Sequence, residues 1–286
     1  MCSHLHVTTI ASTKARLTSV CGVGDGAPSE MQYSSRCHHR SRAVRVVAAL
    51  HQRDVLSTIV TVVRQEVLRG QAVYSKRVLS AYDLVVLGIS NRWIWKCPTS
   101  RLLDLYDAHV SGNHLDVGVG TGYFLDRSRT LSQGARIAPM DLNKNSLEFA
   151  ARRIARFRPE LYRRDVLEPL SFDGGSFDSV GINYLLHCLP GSIDAKATAL
   201  DHLQALMNHG AGLFGSTLLY DGAPRGALAA RLMAIYNDRG IFANRGDDLT
   251  GLERVLRQRF CDVSVEVVGC AALFSARVRN RVRITL

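Results

Sequence analysis

In the stretch NHLDVGVGTGYFLD, Asn113 to Asp126, an acid is followed by three closely spaced glycines: Asp116, then Gly118, Gly120 and Gly122. Leu115, Val117 and Val119 make the approach apolar, so the glycines stand where a buried strand ends. Glycine permits close backbone approach and conformations that a Cβ forbids, as a loop around a ligand needs. A dinucleotide loop has the spacing G-x-G-x-x-G, which seats a pyrophosphate on a helix N-terminus. Here the place of its third glycine holds Tyr123. With Asp116 in front, the loop offers an acid to a ligand with a cationic end, which weighs against a diphosphate. Asp141 ends the apolar run in RIAPMDLNKNSL, 23 residues beyond Gly118, and Asp165 follows in RRDVLEP.

These acids need elements to position them. From Asn113 onward short apolar runs alternate with helical patterns. The runs predict strands at 113–118, 136–141, 160–164, 177–183, 212–220, 262–268 and 270–278, and helices at 121–131, 145–157, 192–208, 223–237 and 249–259. Such alternation implies parallel βαβ units covered on both faces. The last two strands leave no room for a crossover and must pair as an antiparallel hairpin. The expected fold is therefore α/β: a doubly wound, mostly parallel seven-stranded sheet with an antiparallel C-terminal hairpin and an N-terminal helical cap. In such a sheet, ligands bind at the carboxyl ends of the strands, where the strand order reverses.

Upstream, residues 1–42 lack sustained periodicity and end in the basic run RCHHRSR. They are expected to form a disordered basic leader, with Met31 a second usable start. Residues 43–111 are expected to form the cap on the substrate side, since Leu56, Ile59, Val60, Val63 and Val67 recur at helical spacing before Gly70. Residues 112–286 form the main domain.

With 47% hydrophobic residues, the 286-residue chain has ample material for a core. The net charge of +11 is concentrated at the ends, +4 in residues 1–45 and +4 in 274–286, leaving +3 for the 228 residues between. Basic tails attract any polyanion weakly, so no specific nucleic-acid partner is expected. The seven cysteines never form C-x-x-C, and neither a disulfide framework nor a zinc site is expected. No apolar run has the roughly 18–20 residues needed to span a bilayer, and no signal peptide is evident. The expected location is cytoplasmic, with a homodimer as one assembly open to it.

The order and spacing of these motifs resemble the class I S-adenosylmethionine-dependent methyltransferases over about residues 113–220, and more loosely over the C-terminal hairpin. LDVGVGTG resembles their first motif. The resemblance implies a Rossmann-like methyltransferase domain with S-adenosyl-L-methionine as cofactor. Asp116, Gly118, Gly120 and Gly122 would lie against its methionine part. Asp141, with Leu142 beside it, would hold the ribose hydroxyls. Asp165 and the backbone of Val166 would read the adenine. SFDSVGINYLLHCLP resembles the family's fourth strand and following loop, which would place Asn183 and Tyr184 opposite the methyl group.

His187 is the expected general base, because an imidazole of ordinary pKa near 6.5 suits a phenol, acid or amine. Cys188 is expected to be a small buried residue and His114 a packing residue. Tyr82, Trp93 and Trp95, in AYDLVVLGISNRWIWKCP, are expected to line the substrate pocket. This segment is partly similar to quinone-biosynthesis C-methyltransferases. Ile94 separates the two tryptophans, so on a helix their rings diverge. INYLLHCLP departs from the Asn-Pro-Pro-Tyr pattern of base and amide methylation. The expected activity is O- or C-methylation of a small organic metabolite. Alternatives are a protein that keeps the cofactor pocket without methyl transfer, a nucleotide-dependent oxidoreductase, and an RNA methyltransferase.

Overall fold

The structure, a computed structural model, describes residues 83–172 and 174–280. The expected leader, the first part of the cap and Tyr82 lie outside the described residues.

The chain enters through a π-helical segment, Asp83–Ile94, and α1, Thr99–His109. The core alternates thereafter: β1 (Asn113–Val117), α2 (Tyr123–Arg127), β2 (Arg136–Met140), α3 (Lys144–Arg153), β3 (Phe177–Asn183), α4 (Ile193–Gln204) and β4 (Met207–Leu218). It finishes with α5 (Ala227–Asp238), α6 (Leu249–Arg259), β5 (Cys261–Val268) and β6 (Ala271–Arg277). The sheet order is β2-β1-β3-β4-β6-β5. Strands β1 to β4 pair in parallel, and β6 runs antiparallel to both β4 and β5. The C-terminal hairpin is thus as expected, with β6 inserted between β4 and the edge strand β5.

Among the described residues six strands form, not seven. The segment expected as a strand at 160–164 makes only a single parallel bridge, Tyr162 to Met140. The Glu160 and Tyr162 amides donate to the Ile137 and Pro139 carbonyls of β2, so the segment runs along the sheet edge. Arg158 is left-handed before Pro159, and Leu161, Arg163 and Arg164 are exposed. An edge with so little apolar surface to bury and a proline before it has little to extend its pairing.

Local chemistry explains the helix starts. The Asn143 side chain accepts amide hydrogens from Asn145 (2.8 Å) and Ser146 (3.4 Å) at the head of α3, and Asp248 accepts from Gly251 (2.8 Å) at that of α6. Leu115, Val180, Ile182 and Leu213 are fully buried in the sheet, as strands covered on both faces require. α1, expected as part of a cap, packs on the sheet against β3, β4 and β6.

Candidate functional site

β1 and β2 end side by side, Val117 opposite Met140, and the chain turns sharply after each. Gly118, Gly120 and Gly122 all adopt left-handed backbone, with φ of 70°, 55° and 72°. A Cβ on Gly118 would come within 3.0 Å of the Leu185 side chain, and one on Gly122 within 3.2 Å of the Ala150 backbone. The loop is therefore bare for two reasons: its dihedrals and its close packing on the β3 loop and α3.

Asp141, at the end of β2, reaches into this loop. Its carboxylate accepts from the Gly120 amide (3.2 Å) and the Asn143 amide (2.8 Å). Burial pushes its pKa up to about 6; the Asn143 and Gly120 amides oppose the rise and the Asp116 charge adds to it. Leu142 beside it is half-buried, its carbonyl held by the Arg163 guanidinium at 3.2 Å. Asp116 is buried at 7% exposure and accepts from the Tyr106 hydroxyl at 2.6 Å. Asp141 thus meets the glycine loop directly, and the Asp116 charge lies close enough to raise its pKa. Asp165 turns the chain after the bridge, accepting from the Leu167 amide at 3.0 Å, and Val166 is buried behind it.

At the end of β3, Asn183 accepts from the Ser216 hydroxyl at 3.0 Å. Tyr184 bends the chain with a left-handed φ of 54°, held by its amide donating to Ser216 (2.8 Å). A bulky residue in that conformation is uncommon and costly, and such strain clusters at functional sites.

His187 is placed differently from a base. It is 3% exposed, and the Leu218 amide donates to its Nδ1 at 3.3 Å, with the Thr217 hydroxyl 3.5 Å away. The Nδ1 lone pair is therefore engaged by backbone and the proton sits on Nε2, where a general base would need an open lone pair. Burial, then the nearby Lys196 cation, pushes its pKa down to about 3. Burial raises the Cys188 thiol to about 12, so it stays protonated and is no nucleophile at neutral pH.

Trp95 is buried against Phe242 (6.1 Å between ring centres), which packs in turn on His187 at 4.6 Å. Trp93 is 69% exposed, with the Arg92 guanidinium over its ring, and lines none of this. A cavity of about 580 Å³ opens beside these groups, lined by Cys188, Gly191, Asn237, Phe242 and Arg245 among others. Sequence reading missed Phe242, which lies in a polar loop, and Tyr106, which sits in an ordinary amphipathic helix.

The crevice also fits the expected cofactor on its own terms. Three left-handed glycines leave room for a ligand against backbone. The two acids bring negative charge, and among the described residues the groups hydrogen-bonded to them are backbone amides and a phenol, with no lysine or arginine. A ligand carrying a sulfonium and an ammonium would balance that charge; a diphosphate would not.

The fold and crevice define a doubly wound α/β protein whose candidate site lies at the carboxyl ends of β1, β2 and β3. Residues 115–213 match the family model described as a methyltransferase domain. The chain is 38% identical over 220 residues to demethylluteothin O-methyltransferase of Streptomyces thioluteus, covering 77% of this chain and 96% of that protein. It is 36% identical over 212 residues to the physcion biosynthesis cluster O-methyltransferase of Aspergillus chevalieri, covering 73% and 94%. Among solved structures, an O-methyltransferase family protein from Burkholderia thailandensis shares the fold with a TM-score of 0.53 at 16% identity. That match covers 73% of this chain and 62% of the solved one, so the chain spans about three fifths of that neighbour's length. The chain belongs to the class I S-adenosylmethionine-dependent methyltransferases. No helix among the described residues is long and apolar enough to cross a membrane.

Proposed function

We propose that this enzyme methylates a hydroxyl oxygen of a small organic acceptor. The observation that carries the reading is the crevice: a left-handed glycine loop with two acids and, among the described residues, no basic side chain hydrogen-bonded to either. The choice of oxygen rests on the two relatives, both named O-methyltransferases and both matched over nearly their full lengths.

In this reading Gly118, Gly120 and Gly122 cradle the methionine end, with Asp116 facing its ammonium. Asp141 accepts the ribose hydroxyls, the Leu142 backbone lies along the sugar, and Asp165 and Val166 meet the adenine. Asn183 and Tyr184 border the methyl group. S-adenosylmethionine, when bound, would supply an electrophilic methyl on a sulfonium, so that the acceptor oxygen gains the methyl, S-adenosylhomocysteine keeps the electron pair of the broken C–S bond, and the hydroxyl proton goes to solvent water. The protein's part is alignment, which for well-oriented groups is worth up to about 7–11 kcal/mol. The strained Tyr184 bend and the Ser216 hydrogen bond to Asn183 fix that end of the crevice.

The acceptor occupies the cavity of about 580 Å³ beside Cys188 and Phe242, within the range typical of small-molecule sites. Trp95 backs its Phe242 wall. His187 shapes the site as a neutral group and is not the base. Trp93, on the outer surface, is given no part in this wall, and Tyr82 lies outside the described residues. The enzyme acts in the cytoplasm, without a nucleic-acid partner.

Incubating the full chain with methyl-labelled cofactor and a panel of hydroxylated aromatics, carboxylic acids and amines tests this. Label is expected in methyl ethers. Label only in carbon-bound methyl groups, or only in amines, would overturn the oxygen assignment.

A further inference from the structure

We infer that Tyr106 is a positioning residue: with His114 and Ser179 it forms a buried, one-directional hydrogen-bond chain that holds Asp116 in one orientation at the cofactor crevice. The inference rests on the reading above, in which Asp116 faces the methionine end of the cofactor.

The direction of the chain follows from the carboxylate, which can only accept. The Tyr106 hydroxyl must therefore donate its single proton to Asp116 (2.6 Å). The other partner of that hydroxyl, His114 Nε2 at 3.0 Å, must then donate to the phenol oxygen. A neutral imidazole protonated on Nε2 has a lone pair on Nδ1, which receives the Ser179 hydroxyl at 2.8 Å. Ser179 is anchored in turn by the Ser111 amide, which donates to it at 2.9 Å. The Tyr106 and His114 Nε2 protons thus each have one place, and the chain ends on a single Asp116 oxygen. Burial, then the Asp116 charge and hydrogen bond, raise the Tyr106 pKa well above its ordinary value, so the phenol remains a donor.

Packing locks the same groups. Tyr106 and His114 are fully buried. Phe214 stands edge-on to Tyr106 (5.3 Å, 88°) and stacks on His114 (5.7 Å, 20°), while Phe124 stacks on the other side of Tyr106 at 5.8 Å. Gly181 leaves the imidazole its space, since a Cβ there would lie 3.2 Å from both His114 and Phe214. Rotating Asp116 away would strand the phenol proton in an apolar enclosure. The titratable groups around Asp116 are Tyr106, His114 (3.8 Å) and Asp141. Because α1, β1 and β3 supply one member each, the arrangement binds the packing of α1 to the geometry of the glycine loop.

The test compares two probes on the full chain by calorimetry: S-adenosylhomocysteine, which carries the amino-acid end, and 5′-methylthioadenosine, which lacks it. Tyr106→Phe keeps the ring and removes the donor. Its affinity for S-adenosylhomocysteine is expected to fall about tenfold, about 1.4 kcal/mol, with methylthioadenosine affected less than about twofold. Ser179→Ala, at the far end of the chain, should move the ratio of the two affinities in the same direction by about threefold. If Tyr106→Phe shows no cooperative melt, the Ser179→Ala ratio decides alone. Equal losses for both probes, or an unchanged ratio, would overturn the proposal and leave the cofactor reading standing. A wild-type chain that binds neither probe would overturn both.

Discussion

Asp141 carries its charge where burial opposes it. Its pKa stands near 6, raised by burial and by the Asp116 charge against the pull of the Asn143 and Gly120 amides. Two ribose hydroxyls can donate only to the ionised form. The sign follows: cofactor affinity is complete above the free-state pKa and declines as pH falls through 6, by up to tenfold per unit. Calorimetry between pH 7 and pH 5 should show about a tenfold loss, a window in which the cofactor's amino group, with a pKa near 7.7–8.0, stays protonated. A flat affinity over that interval would remove Asp141 as the ribose acceptor. At this scale the sequence was informative about residues that act through short, local patterns. The left-handed glycine turn and the acid that meets it were legible because alternate glycines after a strand, and an acid at the next strand's end, are each local patterns, while the roles given to Asp116 and Asp141 remain proposals. His187 misled for the opposite reason: its type suggested chemistry, but the Leu218 amide that engages its Nδ1 comes from a strand 31 residues away.

At the scale of elements, the turn from β1 into α2 depends on left-handed backbone packed against α3. Gly122→Ala combines a Cβ in a left-handed conformation, about 1–2 kcal/mol, with a contact 3.2 Å from the Ala150 backbone. Thermal unfolding should fall by about 3–6 °C, with weakened cofactor binding alongside. A variant that melts and binds like the wild type would show the loop to be more tolerant than its packing implies. Most helices and strands were readable from periodicity because both sheet faces are covered and the runs are apolar. The segment 160–164 was not, since a charged edge that makes one bridge has the length of a strand without its buried pairing. α1 was taken for cap because its pattern is amphipathic; nothing local distinguishes a helix that covers a sheet from one that covers a ligand.

Across the whole molecule, the region of the cavity at Cys188 and Phe242 is braced by a buried ion pair. Lys196 on α4 donates to Asp247 at 2.6 Å and to the Ala243 carbonyl at 2.8 Å, with both side chains wholly buried. The partners are 51 residues apart, so no motif could announce them. Lys196→Met leaves a buried carboxylate without its cation and should cost about 3–5 kcal/mol in denaturant unfolding; adding Asp247→Leu should restore much of it. Additive losses in the double variant would show the pair to be uncoupled. The same brace places a cation near His187, which adds to the burial that keeps that imidazole neutral beside the cavity at Cys188 and Phe242. The charge at the chain ends says little about this interior, where the acids of the crevice set the local sign. The central claim is that this crevice holds S-adenosylmethionine, and titrating the full chain and Asp141→Asn with that compound at pH 7 tests it most directly. Saturable one-site binding to the wild type is expected, weakened about 10–100-fold in the variant by loss of charged hydrogen bonds. Equal affinity in the two proteins, or no binding by the wild type, would contradict it.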